Sequence, residues 1–498
     1  MDAIITAAGM VADPTVLIAV FCAALFGLFV GAVPGLTATM ATALLVPITF
    51  FLPPVAAVGA IVSATAMAIF AGDIPGCLLR MPGTPASAAY VDESYAMTRK
   101  GMAEQALGTA LVFSAIGGIF GTLVLSLSAP ALAEVALQFS SYEYFWLVLL
   151  GLTCAVFIAS ESPLKGSMTL MLGLLFGSVG LNNPAAHPRF TFDNPDLMGG
   201  LNIIPAMIGL FAVSEVMRFA QSDIAIKQME QQVGAIFKGM GAAINRYKVQ
   251  ALRGSVLGTL VGALPGAGAD IAAWMAYAIS KRFSRTPEKF GTGHPEGLAE
   301  SGAANNGALA GSWIPALVFG IPGDSITAIA IGVLYMKNMN PGPMIFVNQP
   351  ENVYAVFMIF LLANLLLLPL GWLCIKVAGR LLKVPRNVLM PVILLFCIVG
   401  AFAINNATFD LWVLLGFGVM AWFLEANGFP IAPMILGMLL GTMLEEHFIR
   451  SMIKSDNSWL AFVERPIAGG LAAVTVAIWV ASAWFAWRRR QPRVPASA

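Results

Sequence analysis

The sequence predicts an all-α polytopic membrane protein of two inverted-topology repeats. Broken helices, re-entrant hairpins and about ten to twelve membrane helices are expected. Composition is the first observation behind this. Of 498 residues, 58% are hydrophobic and 11% charged, against about 25% charged in soluble domains. One or two soluble cores could not hide that much apolar surface. The second observation is that apolar runs of spanning length alternate with basic segments. The third is a pair of Pro-Gly motifs that recurs in the same order in each half. The same hydrophobicity excludes intrinsic disorder. A net charge of +1 without a basic stripe excludes a nucleic-acid binder.

The N-terminus holds Asp2 and Asp13 and no basic residue before Arg80. The first apolar stretch is therefore expected to stay in the mature protein rather than to act as a cleaved signal. Lys and Arg concentrate on the cytoplasmic side of membrane proteins. Arg99 and Lys100 thus mark a cytoplasmic loop, Leu107–Ser128 leaves the cytoplasm and Ala129–Ser141 lies outside. Tyr142–Ala159 returns to a short loop holding Lys165, Ser167–Leu181 goes out, Asn182–Gly200 is external and Leu201–Met217 comes back. Arg218–Arg253, with Lys227, Lys238, Arg246 and Lys248, is cytoplasmic, as are Lys281–Lys289, Lys376–Arg386 and the Arg488–Arg490 tail. Val353–Ile375 then enters, Val388–Ile404 leaves, Leu411–Leu424 enters, Ile431–Leu444 leaves and Ile467–Trp487 enters. Arg450 and Lys454 fall against this scheme, on the side it makes external. The division that follows is a first repeat over 1–220, a cytoplasmic linker over 221–253, a second repeat over 254–448, and an extra helix with a basic tail over 449–498.

Cys22, Cys77, Cys154, Cys374 and Cys397 lie in apolar runs without CxxC spacing and read as small hydrophobes. His187, His294 and His447 are scattered, so no structural metal or metal catalysis is expected.

The repeat is legible in two motifs. Ala23–Thr39 (AALFGLFVGAVPGLTAT) matches Gly254–Asp270 (GSVLGTLVGALPGAGAD) at seven of seventeen positions, 231 residues apart. Downstream, Ile74-Pro75 with Pro82-Gly83 matches Ile314-Pro315 with Pro322-Gly323 at an offset of 240. The extra charged loop Lys281–Glu300 fits the difference. The charges give the two copies opposite orientation, the plan of secondary transporters.

Gly254–Ser280 is a 27-residue apolar stretch with basic residues at both ends and PGAGAD inside it. A re-entrant hairpin with that segment at its tip is the economical solution. Such a tip presents free N–H groups and partial positive charge, which suits a carboxylate. The residues read as substrate-binding are Pro34, Gly35, Thr37, Thr39, Pro82, Gly83, Thr84, Pro265, Gly266, Gly268, Pro322, Gly323 and Ser325. Gly254, Gly258 and Gly262 read instead as a close-packing face. Asp270 and Asp324 are the unusual members, because a central membrane carboxylate costs roughly 2.5–3.5 kcal/mol. With Asn305, Asn306 and Thr327 they form a candidate cation-coupling set for Na⁺ or H⁺; helix capping is the plain alternative for both acids. Lys281–Glu300 reads as a cytoplasmic loop, although Glu296 and Glu300 could fold back toward the site.

At these residues the chain resembles the large membrane subunit of tripartite tricarboxylate transporters, the TctA family. The resemblance rests on Gly31–Phe50, Gly72–Ala89, Gly262–Arg282 and the long run Phe290–Gly332, and extends along nearly the whole length. It implies a small membrane subunit of about four helices and a periplasmic solute-binding protein as partners. It also implies ion-gradient-driven import of carboxylates such as citrate across a bacterial inner membrane.

Two rival functions stand beside this one. A channel would need a continuous polar pore, and no helix shows a polar stripe. A membrane-embedded enzyme would need a nucleophile–base pair or metal ligands, and none is visible. No Walker A lysine follows the glycines, so no ATP chemistry and no cofactor beyond the coupling ion is expected.

Overall fold

The computed structural model describes residues 2–157, 162–181, 187–220, 236–237, 239–266, 268–381 and 386–490. These residues are overwhelmingly helical. Among them the only extended pairing is a single antiparallel bridge between Gly180 and Arg189. Six of their helices are long and apolar enough to cross a membrane: Pro14–Ala32, Pro54–Leu79, Ala103–Ala136, Pro350–Ala378, Val388–Asn405 and Thr408–Ala426. Shorter apolar helices, Ala38–Phe50 and Ser325–Met336 among them, accompany these. Several are short because a Pro-Gly tip interrupts a longer apolar run.

The chain forms two compact units, Met1–Leu137 with Asn202–Ile431, and Gln138–Leu201 with Ala432–Ala498. In the second unit, Ala432–Lys454 packs against Ser141–Phe157 and Pro163–Gly177, and Pro466–Arg490 packs against Ser141–Phe157. Gly173 lets the Met434 backbone approach where a Cβ would clash. The buried Glu143 carboxylate pairs with Arg465 at 2.8 Å. The helix from Ala432 runs ten residues past the predicted span end at Leu444, so Arg450 and Lys454 lie in its last turns and not in a loop. Arg450 is neutralised by Glu446 one turn earlier.

The first unit contains both Pro-Gly motif sets. Its first hairpin joins Pro14–Ala32 to Ala38–Phe50; its second joins Met240–Gly262 to Gly268–Phe283. The predicted linker 221–253 falls partly outside the described residues (221–235 and 238). Its remainder from Met240 is already helical and carries Arg246, Lys248 and Arg253. Ala103–Ala136 is one 34-residue helix, so most of the predicted external segment Ala129–Ser141 continues the span. Pro130 does not end it.

The two hairpins pack by the same contacts. Gly27 and Gly31 meet the backbone of Ala64 and Ala68; Gly258 and Gly262 meet that of Ala304 and Ala308. The glycines are 231 apart and their partners 240 apart, as in the sequence motifs. A Cβ at any of these four glycines would overlap a backbone carbonyl, so the predicted close-packing role holds for Gly258 and Gly262, and also for Gly254 against Glu300. Downstream, a Cβ at Gly83 would come within 2.5 Å of Gly72 Cα, and one at Gly323 within 2.6 Å of Ser312 Cβ, again equivalent pairs at the offset of 240.

Candidate functional site

Each hairpin tip turns on a glycine in the left-handed region, Gly35 at φ 87° and Gly266 at φ 78°. Pro34 and Pro265 stand one residue earlier and end the incoming helix by removing an N–H donor. The first N–H groups of a returning helix have no partner within the helix itself. In the first hairpin, Thr37 caps that start, accepting Met40 N at 3.2 Å, and Thr39 sits half-buried in the first turn. In the second, Gly268 at φ 58° takes the place of Thr37, and Asp270 that of Thr39.

Asp270 does not cap its own helix. Its Oδ1 accepts the backbone N–H of Ala86, across 184 residues, at 3.0 Å. Trp274, one turn on, donates its indole N–H to Pro85 O at 3.3 Å. The segment Pro82–Ser87 is thereby docked on the start of the second returning helix. Asp324 reaches the same place from its own motif: a Cβ at Gly268 would lie 2.7 Å from Asp324 Cβ. Three of the four predicted motifs therefore meet around Gly268, with Asp270 two residues along and Asp324 in contact. The first tip enters through helix packing, since Ala38–Phe50 lies against Ser325–Met336.

Asp324 is the N-cap of Ser325–Met336. Its Oδ1 accepts Thr327 N at 2.7 Å, while its own N–H donates to Thr327 Oγ1 at 2.9 Å. Thr84 and Ser87, the equivalents 240 residues earlier, make the same reciprocal pair at 3.1 Å each way. Pro322 and Gly323 are buried behind this cap, Ser325 is half-buried, and Pro82, Gly35 and Asp270 are exposed at the tips.

Asn305 and Asn306 are both buried, and the hydrogen bonds of their amides go to residues outside the predicted motifs. Asn306 Nδ2 donates to Ser114 O at 3.3 Å and Asn364 Oδ1 at 3.2 Å. Asn305 Nδ2 donates to the Tyr90 hydroxyl at 3.0 Å, and that hydroxyl donates to Asp73 Oδ1 at 2.7 Å. Asp73, Tyr90 and Asn364 were not among the predicted residues. Asp73 is the one charged residue in the apolar run Pro54–Leu79, the same signal that singles out Asp270.

The charged stretch 281–300 packs on the second hairpin at the level of Gly254, away from the Gly266 tip, so Glu296 and Glu300 do not join the Gly268 cluster. Its helix restarts at Pro295, capped by His294. Glu300, fully buried, is held bidentately by Arg253 at 2.5 Å, and Glu296 accepts from Gln250 at 2.9 Å and Ser284 at 2.6 Å. The preceding loop is pinned by Glu93, also fully buried, whose carboxylate accepts the N–H groups of Gly291, Gly293 and His294 and the Tyr277 hydroxyl. A buried carboxylate needs such donors, and four of them supply what water would. No sequence pattern marks Glu93, because its donors are loop backbone.

Membrane-length helices, interrupted by Pro-Gly tips of which one meets two acids, define a polytopic membrane protein with broken helices. The chain belongs to the tripartite tricarboxylate transporter TctA family, which matches residues 17–436. It is 35% identical to an uncharacterised 52.8 kDa protein of the TAR-I ttuC' 3' region of Agrobacterium vitis, over 92% of this chain and 91% of that protein. A second Agrobacterium vitis protein, from the TAR-II ttuC' 3' region, is 36% identical over 43% of this chain and 88% of its own length. No solved structure matches the chain.

Proposed function

We propose that this chain is the large permease subunit of a tripartite importer in a bacterial inner membrane. A periplasmic solute-binding protein delivers a tricarboxylate or related carboxylate, a small membrane subunit of about four helices completes the membrane part, and a Na⁺ or H⁺ gradient drives uptake. The observation that carries this reading is the meeting of three Pro-Gly motifs at Gly268, with Asp270 bonded across to Ala86. Helix starts offer N–H groups to the substrate carboxylates. Asp270 and Asp324 would repel an anion unless cations sit between, which ties the two ligands together. The repeated contacts of the two hairpins support an inverted-repeat plan, in which one arm opens to each side of the membrane in turn.

The test is uptake of labelled citrate and of C4-dicarboxylates by cells carrying the three subunits, with Na⁺ and pH gradients imposed separately. Accumulation that follows one gradient and needs the binding protein is the expected result. Uptake that follows neither gradient, or that only equilibrates the solute as a channel would, refutes it.

A further inference from the structure

Asp73 lies in the apolar interior of the first unit, 4% exposed, in a run that also buries Met67, Phe70, Ile74 and Cys77. Among the described residues no Lys, Arg or His pairs with it. The helices Pro14–Ala32, Pro54–Ala71 and Ala103–Ala136 that pack against Asp73–Leu79 contain no basic residue, and Ala103–Ala136 has only Glu104 and Glu134, near its ends. Val91–Arg99 also packs there; its Glu93 is saturated by loop donors, and Arg80–Asp92 and Arg99 are exposed. The other titratable groups on or beside these elements are Tyr90, Tyr95, Cys22, Cys77, which bonds Thr98 at 3.1 Å, and Asp270, which accepts the Ala86 N–H. None can neutralise a carboxylate.

An unpaired carboxylate in such surroundings costs several kcal/mol, and a bound cation or proton removes that cost. The geometry favours a proton. An alkali ion needs several oxygen lone pairs converging on one point. Here the Tyr90 oxygen receives the Asn305 N–H, and its own hydrogen points at the carboxylate. The three groups also suit donation in either direction. With Asp73 ionised, donation runs from Asn305 through Tyr90 to Asp73. With Asp73 protonated, its O–H donates to Tyr90, and Tyr90 donates to the amide oxygen of Asn305 once the amide turns over, since amide O and N have nearly the same shape. Asn305 Oδ1 is the atom this reversal needs, and it is now buried without a partner.

We propose that Asp73 is a proton-binding site whose state is registered by Tyr90 and Asn305, and that, on the transport reading above, its proton is one that drives the cycle. One O–H bond forms at the Asp73 carboxylate with a proton taken from water on one side, and breaks to water on the other. No oxidation or reduction is involved.

Infrared difference spectra of the full-length protein in lipid at neutral pH test the site itself. Wild type minus Asp73→Asn should show a buried carboxylic-acid C=O band that does not respond to Na⁺. Tyr90→Phe, which keeps the ring and the acid, should move that band to higher frequency by removing its hydrogen-bond partner; it serves equally if Asp73→Asn does not fold. A band that is absent, that emerges only when Na⁺ is removed, or that Tyr90→Phe leaves in place overturns the proposal. With the partner subunits and labelled citrate, Asp73→Asn should lose about tenfold in accumulation per unit of imposed pH gradient, the share of one proton, and keep exchange. Full pH-driven accumulation by Asp73→Asn overturns the coupling role. A wild type that moves no carboxylate counts against the transport reading alone and leaves the infrared result standing.

Discussion

Replacing Asp270 by Asn removes one formal charge from the tips and keeps the acceptor that Ala86 N–H uses. The substitution therefore separates charge from strut. On the proposed function a tricarboxylate enters against the membrane potential, and each charge moved against 100 mV costs about 2.3 kcal/mol. If Asp270 holds one cation per cycle, the variant forfeits that driving force. At about 1.4 kcal/mol per factor of ten, accumulation falls roughly 40-fold at 100 mV and is almost unchanged at zero potential with equal cation concentrations on both sides. The assay is labelled-citrate accumulation in proteoliposomes holding the full transporter, with the potential set by a potassium gradient and valinomycin. Asp270→Ala removes acceptor and charge together and should fail at every potential. Wild-type accumulation by Asp270→Asn at 100 mV, or an equal loss at zero potential, would refute the cation role and leave Asp270 as a strut between the two motifs.

Four further outcomes are expected. Gly258→Val places a side chain on the Ala304 carbonyl and should abolish folded protein in a detergent size-exclusion assay, whereas Gly241→Ala, with open space around it, should elute like wild type. Arg253→Met strands buried Glu300 and should cost about 3–5 kcal/mol; Arg253→Met with Glu300→Leu should recover most of it, and equal melting of single and double variants would contradict that. Glu93→Gln turns an amide toward the N–H groups of Gly293 and His294 and should speed amide exchange across 290–294 in mass-spectrometric measurements; unchanged exchange would rule out the clamp. Single cysteines at Lys248 and Arg285 should label from the same, cytoplasmic side, and labelling of Arg285 only from outside would refute the re-entrant hairpin.

Much of the fold was legible because bilayer physics writes itself into composition and run length. The apolar runs at Val353–Ile375, Val388–Ile404 and Leu411–Leu424 all lie within single helices. The tips were legible because Pro and Gly in an apolar run leave few backbone solutions. What stayed hidden depends on partners distant in sequence. Nothing near Asp270 announces the Ala86 N–H, and nothing near Glu93 announces the loop that surrounds it. Glu300 read as a loop acid because Arg253, its partner 47 residues earlier, read as a topology marker. Asp73 is hard to single out from sequence because it has no acidic counterpart in the other half: Ile74-Pro75 matches Ile314-Pro315, but the position before it there is the apolar Trp313.

The two hairpins share a frame and differ in chemistry. Where the second has the Arg253–Glu300 pair, the equivalent positions of the first are Cys22 and Ala60. Those two, with Ala23, Leu45 and Ile48, line an apolar groove of about 550 Å³. Asp270 and Asp324 likewise stand where the first copy has Thr39 and Thr84. Backbone contacts of glycine on carbonyl are nearly independent of side-chain chemistry, so the frame can stay equivalent while charge is redistributed. Asp73 breaks this one-sidedness in the other direction, since it belongs to the first copy and reaches the second through Tyr90 and Asn305. Each copy therefore supplies an acid whose hydrogen bonds reach the other copy: Asp270 to Ala86, and Asp73 through Tyr90 to Asn305. A charge change at either acid acts on the contacts between the copies, which, on the alternating-access reading proposed above, are the contacts that break and reform in each cycle.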